Sequence, residues 1–317
     1  MGAGRGGHLR NLGRSLGHAP ALTLYRTAFA ASPPTVTLLF ARSCSPLLQE
    51  VQFVSETPPS VDLRTDQPHP ARIYDFYLGG KDHFAPDREL GQKVLEICPQ
   101  LASGAQINRR FLARSVGLLA RDHGIRQFLD LGTGLPTSPN LHEVAQGVAP
   151  EAQIVYVDND PIVLTHARAL LTSTPEGVTQ YIDGDVLDVD RIMDEAARTL
   201  DFGRPVAVSA LALLHFLPDP QPAEMLAEVR ERLAPGSFLS ISHALPGLRE
   251  AAAAYQGGTG LGTLRDWDEI APLFGDFEML EPGLVEPHRW RPELDPAEED
   301  PEGALDNMGA CGVARKR

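Results

Sequence analysis

The densest chemistry in the sequence lies in Phe128–Thr137, F-L-D-L-G-T-G-L-P-T, where a short apolar run ends in Gly132-Thr133-Gly134. Two glycines separated by one residue let a backbone approach a ligand closely, because neither has a side chain to block it. The pair alone is common to many nucleotide sites, and it also serves as a plain turn between strand and helix. Three carboxylates sharpen the reading. Asp158 ends a second apolar run, at a spacing where a carboxylate accepts bonds from both hydroxyls of a ribose. In Asp183-Gly184-Asp185-Val186, which closes a third run, the Asp185 carboxylate and a backbone N–H at Val186 can read an adenine edge. Asp130, at the tip of the first run, suits an ammonium group.

A dinucleotide fingerprint would need a third small residue to seat a pyrophosphate. That position holds Thr137 after Pro136, and an acid at Asp130 would repel a pyrophosphate. The set fits S-adenosyl-L-methionine, which joins adenosine, a sulfonium and an amino acid without phosphate.

Other residues invite roles near such a ligand. Tyr77-Leu78-Gly79-Gly80-Lys81 spells the Y-x-x-x-K pair of short-chain dehydrogenases, but it precedes the nucleotide strands instead of following them. A cap is the better functional reading, in which the glycine turn at Gly80 lets Tyr74, Tyr77 and Lys81 close over the cofactor. An ordinary helix end packed on the sheet is its rival. His215 follows the fourth apolar run, where this kind of fold meets an acceptor. It is the candidate catalytic base, against a role as pocket wall, and His243 has a weaker claim. Asn108-Arg109-Arg110 could anchor a carboxylate or form a solvated helix start.

The elements that must position these residues alternate. Strands are predicted at Gln127–Leu131, Gln153–Val157, Val178–Asp183, Pro205–Ala210 and Ser237–Ser242. Helices are predicted between them at Asn140–Gln146, Ile162–Leu171, Asp188–Leu200 and Ala223–Leu233. Before the first strand, His69–Leu78, Asp87–Ile97 and Ile107–His123 read as helices. After the fifth come a short helix at Trp267–Phe274, strands at Glu278–Leu284 and Gly309–Ala314, and a solvated acidic loop at Pro292–Asp306. Strands alternating with helices mean an α/β fold, a doubly wound, mostly parallel sheet covered on both faces.

Together D-L-G-T-G, V-D-N-D-P and D-G-D-V resemble class I S-adenosylmethionine-dependent methyltransferases. Ala71–Phe84, A-R-I-Y-D-F-Y-L-G-G-K-D-H-F, with N-R-R-F-L and D-L-G-T-G-L-P-T, resembles more specifically an actinobacterial family of S-adenosyl methyltransferases, formerly a domain of unknown function. The resemblance covers about residues 60–317. It implies a Rossmann-like seven-stranded sheet whose last strand is antiparallel. It also implies that Asp130, Gly132, Thr133 and Gly134 line the methionine end, Asp158 and Asn159 the ribose, and Asp185 with Val186 the adenine.

Composition narrows the partners. The chain has 317 residues and a net charge of −14, which counts against nucleic acid bound through a general basic surface. Its longest apolar run, Pro205–Leu217, is too short to span a membrane. Cys44, Cys98 and Cys311 are far apart, form no C-x-x-C pair and suit a reducing cytoplasm. The expected partner is a small-molecule acceptor, one of secondary metabolism, with no nucleic acid and no membrane; the oligomeric state is open. A non-catalytic S-adenosylmethionine-binding sensor or partner subunit is the alternative function.

Residues 1–49 hold five arginines and no acid, so 1–59 reads as a disordered leader. Residues 60–124 then form a helical N-terminal cap and 125–317 the Rossmann-like core. Deleting residues 1–58 is expected to leave the unfolding transition and ligand binding unchanged. A truncated chain that aggregates or loses its ligand would refute this division.

Overall fold

The computed structural model describes residues 63–163, 165, 173–259, 262–295 and 306–317. The leader and most of the expected helix at 162–171 lie outside the described residues, as does the greater part of the acidic loop. Seven strands, β1 Gln127–Leu131, β2 Gln153–Asp158, β3 Val178–Asp183, β4 Ala207–Leu211, β5 Phe238–Ala244, β6 Glu278–Met279 and β7 Gly309–Arg315, form one sheet in the order β3-β2-β1-β4-β5-β7-β6. Strands β1 to β5 pair in parallel, whereas β7 runs antiparallel to both β5 and β6. The expected Rossmann-like sheet with an antiparallel last strand is therefore present. The strand expected at Glu278–Leu284 is only two residues long. It is followed by a cis peptide at Glu281-Pro282 and a single bridge from Val285 to Cys311.

Both faces of the sheet are covered. Alternation along β1 sends Leu129 and Leu131 to one side, against α5 (Val189–Ala196) and α6 (Gln221–Arg232). Phe128 goes to the other side, against α3 (Leu101–Arg121) and α4 (Leu141–Val148). All five β1 residues are buried, including Gln127 and Asp130. Gln127 is satisfied at that depth by the Asp201 backbone, its side chain accepting from N–H at 2.6 Å and donating to the carbonyl at 3.0 Å. Sequence order reverses between β1 and β4, and ligands of such sheets bind at that switch point.

A third layer lies above the strand ends. Helices α1 (Pro70–Tyr77), α2 (Ala85–Ile97) and α7 (Arg249–Thr259) enclose a small apolar core of Ile73, Tyr77, Leu90, Val94 and Ala251, joined by Ala105 of α3. The sequence reading contained no α7. Its Ala251–Ala254 run favours helix by propensity but shows no apolar stripe. The reading also began α3 six residues late, at Ile107, because Leu101–Gln106 is small and polar. Among the described residues no helix is long and apolar enough to cross a membrane.

Helix α3 is fixed to the sheet by Trp290, fully buried with its ring 5.2 Å edge-on from Phe111. Arg114 clamps the same segment by donating to the carbonyl oxygens of Trp290 and Pro287. Trp290→Ala is expected to lower the unfolding free energy by about 3–5 kcal/mol, measured by urea titration.

Candidate functional site

At the switch point the chain leaves β1 through Gly132 and Gly134, both at positive φ (68° and 70°). The Gly132 and Thr133 N–H groups donate to the Val157 carbonyl at 2.9 and 3.1 Å, holding the loop against β2. A Cβ at Gly132 would stand 2.5 Å from Leu213 Cδ1, whereas one at Gly134 would meet nothing within 4 Å among the described residues. One glycine is thus required for both backbone and packing, and the other by its backbone beside open space.

Asp158 fastens this loop to its neighbour. Its Oδ2 accepts from the Gly134 N–H at 2.8 Å and its Oδ1 from the Asp160 N–H at 2.9 Å. Burial pushes its pKa up, partly offset by these bonds. Asp160 continues the chain of contacts into the helical layer. It lies 3.0 Å from His69 Nδ1 and 3.6 Å from Arg72 Nε, and Arg72 in turn lies 3.7 Å from the wholly buried Asp87. Burial alone would raise the Asp160 pKa, but the His69 imidazole, the Ile162 N–H and the Arg72 guanidinium beside it bring it below the usual range.

Asp130 sits deeper, 5 % exposed, with Oδ1 accepting a hydrogen bond from Ser209 Oγ on β4. Its position on β1 turns it to the same face as Phe128, toward α3. Burial raises its pKa to about 6 against the lowering pull of the Ser209 bond and the Arg109 charge. Arg109 is itself anchored by donating to the Thr137 and Pro139 carbonyls, each at 2.7 Å. Its Nε is buried without a partner among the described residues. Next to it, Asn108 Nδ2 donates to Tyr74 Oη at 3.0 Å, and that hydroxyl donates to the Ala105 carbonyl at 3.0 Å.

These groups surround a cavity of about 260 Å3. Eight of the residues singled out in the sequence line it together: Tyr74, Asp130, Gly132, Thr133, Gly134, Asp158, Asn159 and Asp185. Val186, Asn108 and Arg109, also singled out there, line it as well and bring the number to eleven. Asp185 is exposed and caps its own turn, accepting from the Leu187 N–H at 3.0 Å. Gly80 and Lys81 do not line the cavity, which corrects the expected cap. Their segment wraps Asp75, whose Oδ2 accepts from the Asp82 N–H and meets His83 Nδ1, both at 2.9 Å. A Cβ at Gly80 would fall 2.0 Å from Asp75 Oδ1, so that glycine serves a turn, and Lys81 is exposed. Tyr77 is absent from the cavity too, so Tyr77 and Lys81 form no dehydrogenase pair there.

His215 lies in a short 3-10 turn (Leu214–Phe216) after β4, on the wall of an adjoining cavity. Burial, reinforced by His243 and Arg265, holds it well below its ordinary pKa, so it is neutral. His243 stands ring-to-ring 5.5 Å away with both nitrogens engaged. Arg265 can only donate, so His243 Nε2 accepts from it at 2.9 Å, and Nδ1 carries the proton toward the Ala244 carbonyl at 2.8 Å. That arrangement leaves His243 no nitrogen for acid–base work. Ala212, at φ 51°, forms a wall common to both cavities; no single-sequence signal marks an alanine in that conformation. Among the described residues no cluster of His, Cys, Asp and Glu could hold a metal ion.

The sequence profile of the S-adenosyl methyltransferase family matches residues 56–317. The chain is 42 % identical to a DUF574-family protein from Streptomyces avermitilis, over 81 % of this chain and all of that one, with a TM-score of 0.77. It is 40 % identical to a Thermobifida fusca protein assigned as a methyltransferase, over 82 % of this chain and 99 % of that one, with a TM-score of 0.75. No curated protein matches the chain.

Gly132→Ala is expected to cost about 1–2 kcal/mol through its left-handed backbone. Adding Leu213→Ala should relieve the side-chain clash but not that cost. Paired urea titrations of the single and double variants would separate the two parts.

Proposed function

The chain belongs to the S-adenosyl methyltransferase family, and from that premise we propose that the 260 Å3 cavity holds S-adenosyl-L-methionine and serves methyl transfer to a small molecule. When bound, this cofactor supplies a methyl group on a sulfonium, which a nucleophile takes by in-line displacement, leaving a neutral thioether. The observation that carries the residue assignment is Asp130, a buried carboxylate beside the glycine loop with Ser209 on one oxygen. An ammonium group placed against it is favoured, because a buried carboxylate gains most from a cationic neighbour.

The remaining residues have matching roles. Gly132 and Gly134 let the backbone come close to the methionine end. Each Asp158 oxygen already accepts one backbone bond and retains a lone pair, which supports a two-point grip on the ribose hydroxyls, with Asn159 beside it. Asp185 and the Val186 N–H serve the adenine edge. The adjoining apolar cavity supports a small acceptor, and much of the rate is supplied by orientation alone.

The Asp130 pKa gives this reading a pH signature. Above about 6 the carboxylate is ionised and attracts the ligand ammonium; as pH falls through about 6 it takes up a proton and the attraction is lost. Calorimetric affinity for S-adenosylhomocysteine is expected to be level from pH 8 to 7. It should then weaken by up to about tenfold per unit below 6. Asp130→Asn should bind weakly at every pH without that slope. A flat profile in the unsubstituted protein, or full affinity in Asp130→Asn, would overturn the assignment.

A further inference from the structure

The adjoining cavity measures about 180 Å3. It shares Tyr74, Asn108, Ala212 and Phe216 with the larger one, so the two meet along a common wall. Two properties define what it can hold. First, among the described residues no Asp, Glu, Lys or Arg lines it. His215 and His243 are neutral for the reasons given above, and the third lining histidine, His288, already has Asp306 at 3.8 Å. Such a wall cannot repay the desolvation of a charged occupant. Second, four polar atoms of lining residues are buried without a partner among the described residues: Tyr77 Oη, Tyr255 Oη, Asn108 Oδ1 and His215 Nδ1. Buried polar atoms in native proteins are nearly always satisfied. Four on the residues that line one cavity therefore leave hydrogen-bonding capacity that a polar ligand group can take up.

The geometry points to a methyl acceptor of one class: a neutral, flat phenol, whose hydroxyl takes up part of this unused hydrogen-bonding capacity. This assignment rests on the cofactor reading above. The rings of Tyr74, Tyr77, Phe216 and Tyr255 favour an aromatic occupant by stacked and edge-on contact. A cavity of about 150 Å3 accommodates benzene, so the space here suits a single ring with small substituents. In transfer to such an acceptor the O–H and S–C bonds break and an O–C bond forms. The S–C electron pair stays on sulfur as the thioether, and the proton passes to His215 Nδ1 and on to water. A weak base suffices, because the hydroxyl proton becomes strongly acidic as its oxygen gains the methyl group.

Calorimetry with S-adenosylhomocysteine already present tests this with four probes: para-cresol, toluene, para-hydroxybenzoate and tyramine. Para-cresol is expected to bind, toluene about tenfold more weakly, and the anionic and cationic phenols not measurably. Tyr255→Phe should weaken para-cresol several-fold and leave toluene unchanged. Ala251→Trp, which fills the cavity, should abolish para-cresol binding while S-adenosylhomocysteine still binds. Charged phenols that bind as tightly as para-cresol would overturn the acceptor class. So would para-cresol binding that ignores both substitutions, or that is absent while S-adenosylhomocysteine binds. Failure of the unsubstituted protein to bind S-adenosylhomocysteine would overturn the cofactor reading instead.

Discussion

Everything above the sheet depends on how Asp158 is held. One carboxylate at the end of β2 accepts from Gly134 in the β1 loop and from Asp160 in its own. Asp160 then engages His69 and Arg72 at the start of α1. A buried carboxylate left without partners is costly. The two loops and the helical layer are therefore constrained to arrive together, each supplying part of what the others must satisfy. The raised Asp158 pKa shows that the backbone bonds offset burial only in part, so further donors are still favourable there.

The same economy divides the molecule electrostatically. The larger cavity collects carboxylates at the strand ends, while the smaller is walled by histidines, tyrosines and aliphatic groups. A cationic, adenosine-bearing ligand suits the first, and an uncharged one the second. Their shared wall comes from α1, α3 and the turn after β4, elements fixed by different parts of the core. Arg265 completes the division: it is buried and bonded to Asp219, His243 and two carbonyl oxygens, so its own charge is engaged away from the smaller cavity.

What the sequence disclosed follows from the range of its signals. The glycine loop, Asp130, Asp158 and Asp185 were legible because each lies within two or three residues of a strand end, and strand ends are written in short apolar runs. The helical layer was not. Tyr255 arrives on α7, whose alanine run has no periodicity, and Asn108 acquires its role only through Tyr74, 34 residues away. Gly80 and Lys81 misled because a glycine turn that cradles a ligand and one that wraps a carboxylate look alike until Asp75 is seen inside it. The parallel strands were read closely, but β6 was overestimated: beyond Met279 its contact with β7 is reduced to the Leu280 N–H bond to the Val313 carbonyl and the Val285–Cys311 bridge.

Strand β7 is the last of the seven in chain order, yet it lies between β5 and β6 rather than at the rim. During vectorial synthesis β5 is therefore an open, almost wholly buried-type edge through the production of some seventy residues, and β6 has nothing to pair with. The sheet closes late, by a long-range insertion that contact order makes slow. A nascent chain halted before Gly309 would present β5 as a sticky seam, an invitation to strand exchange between neighbours on the same message.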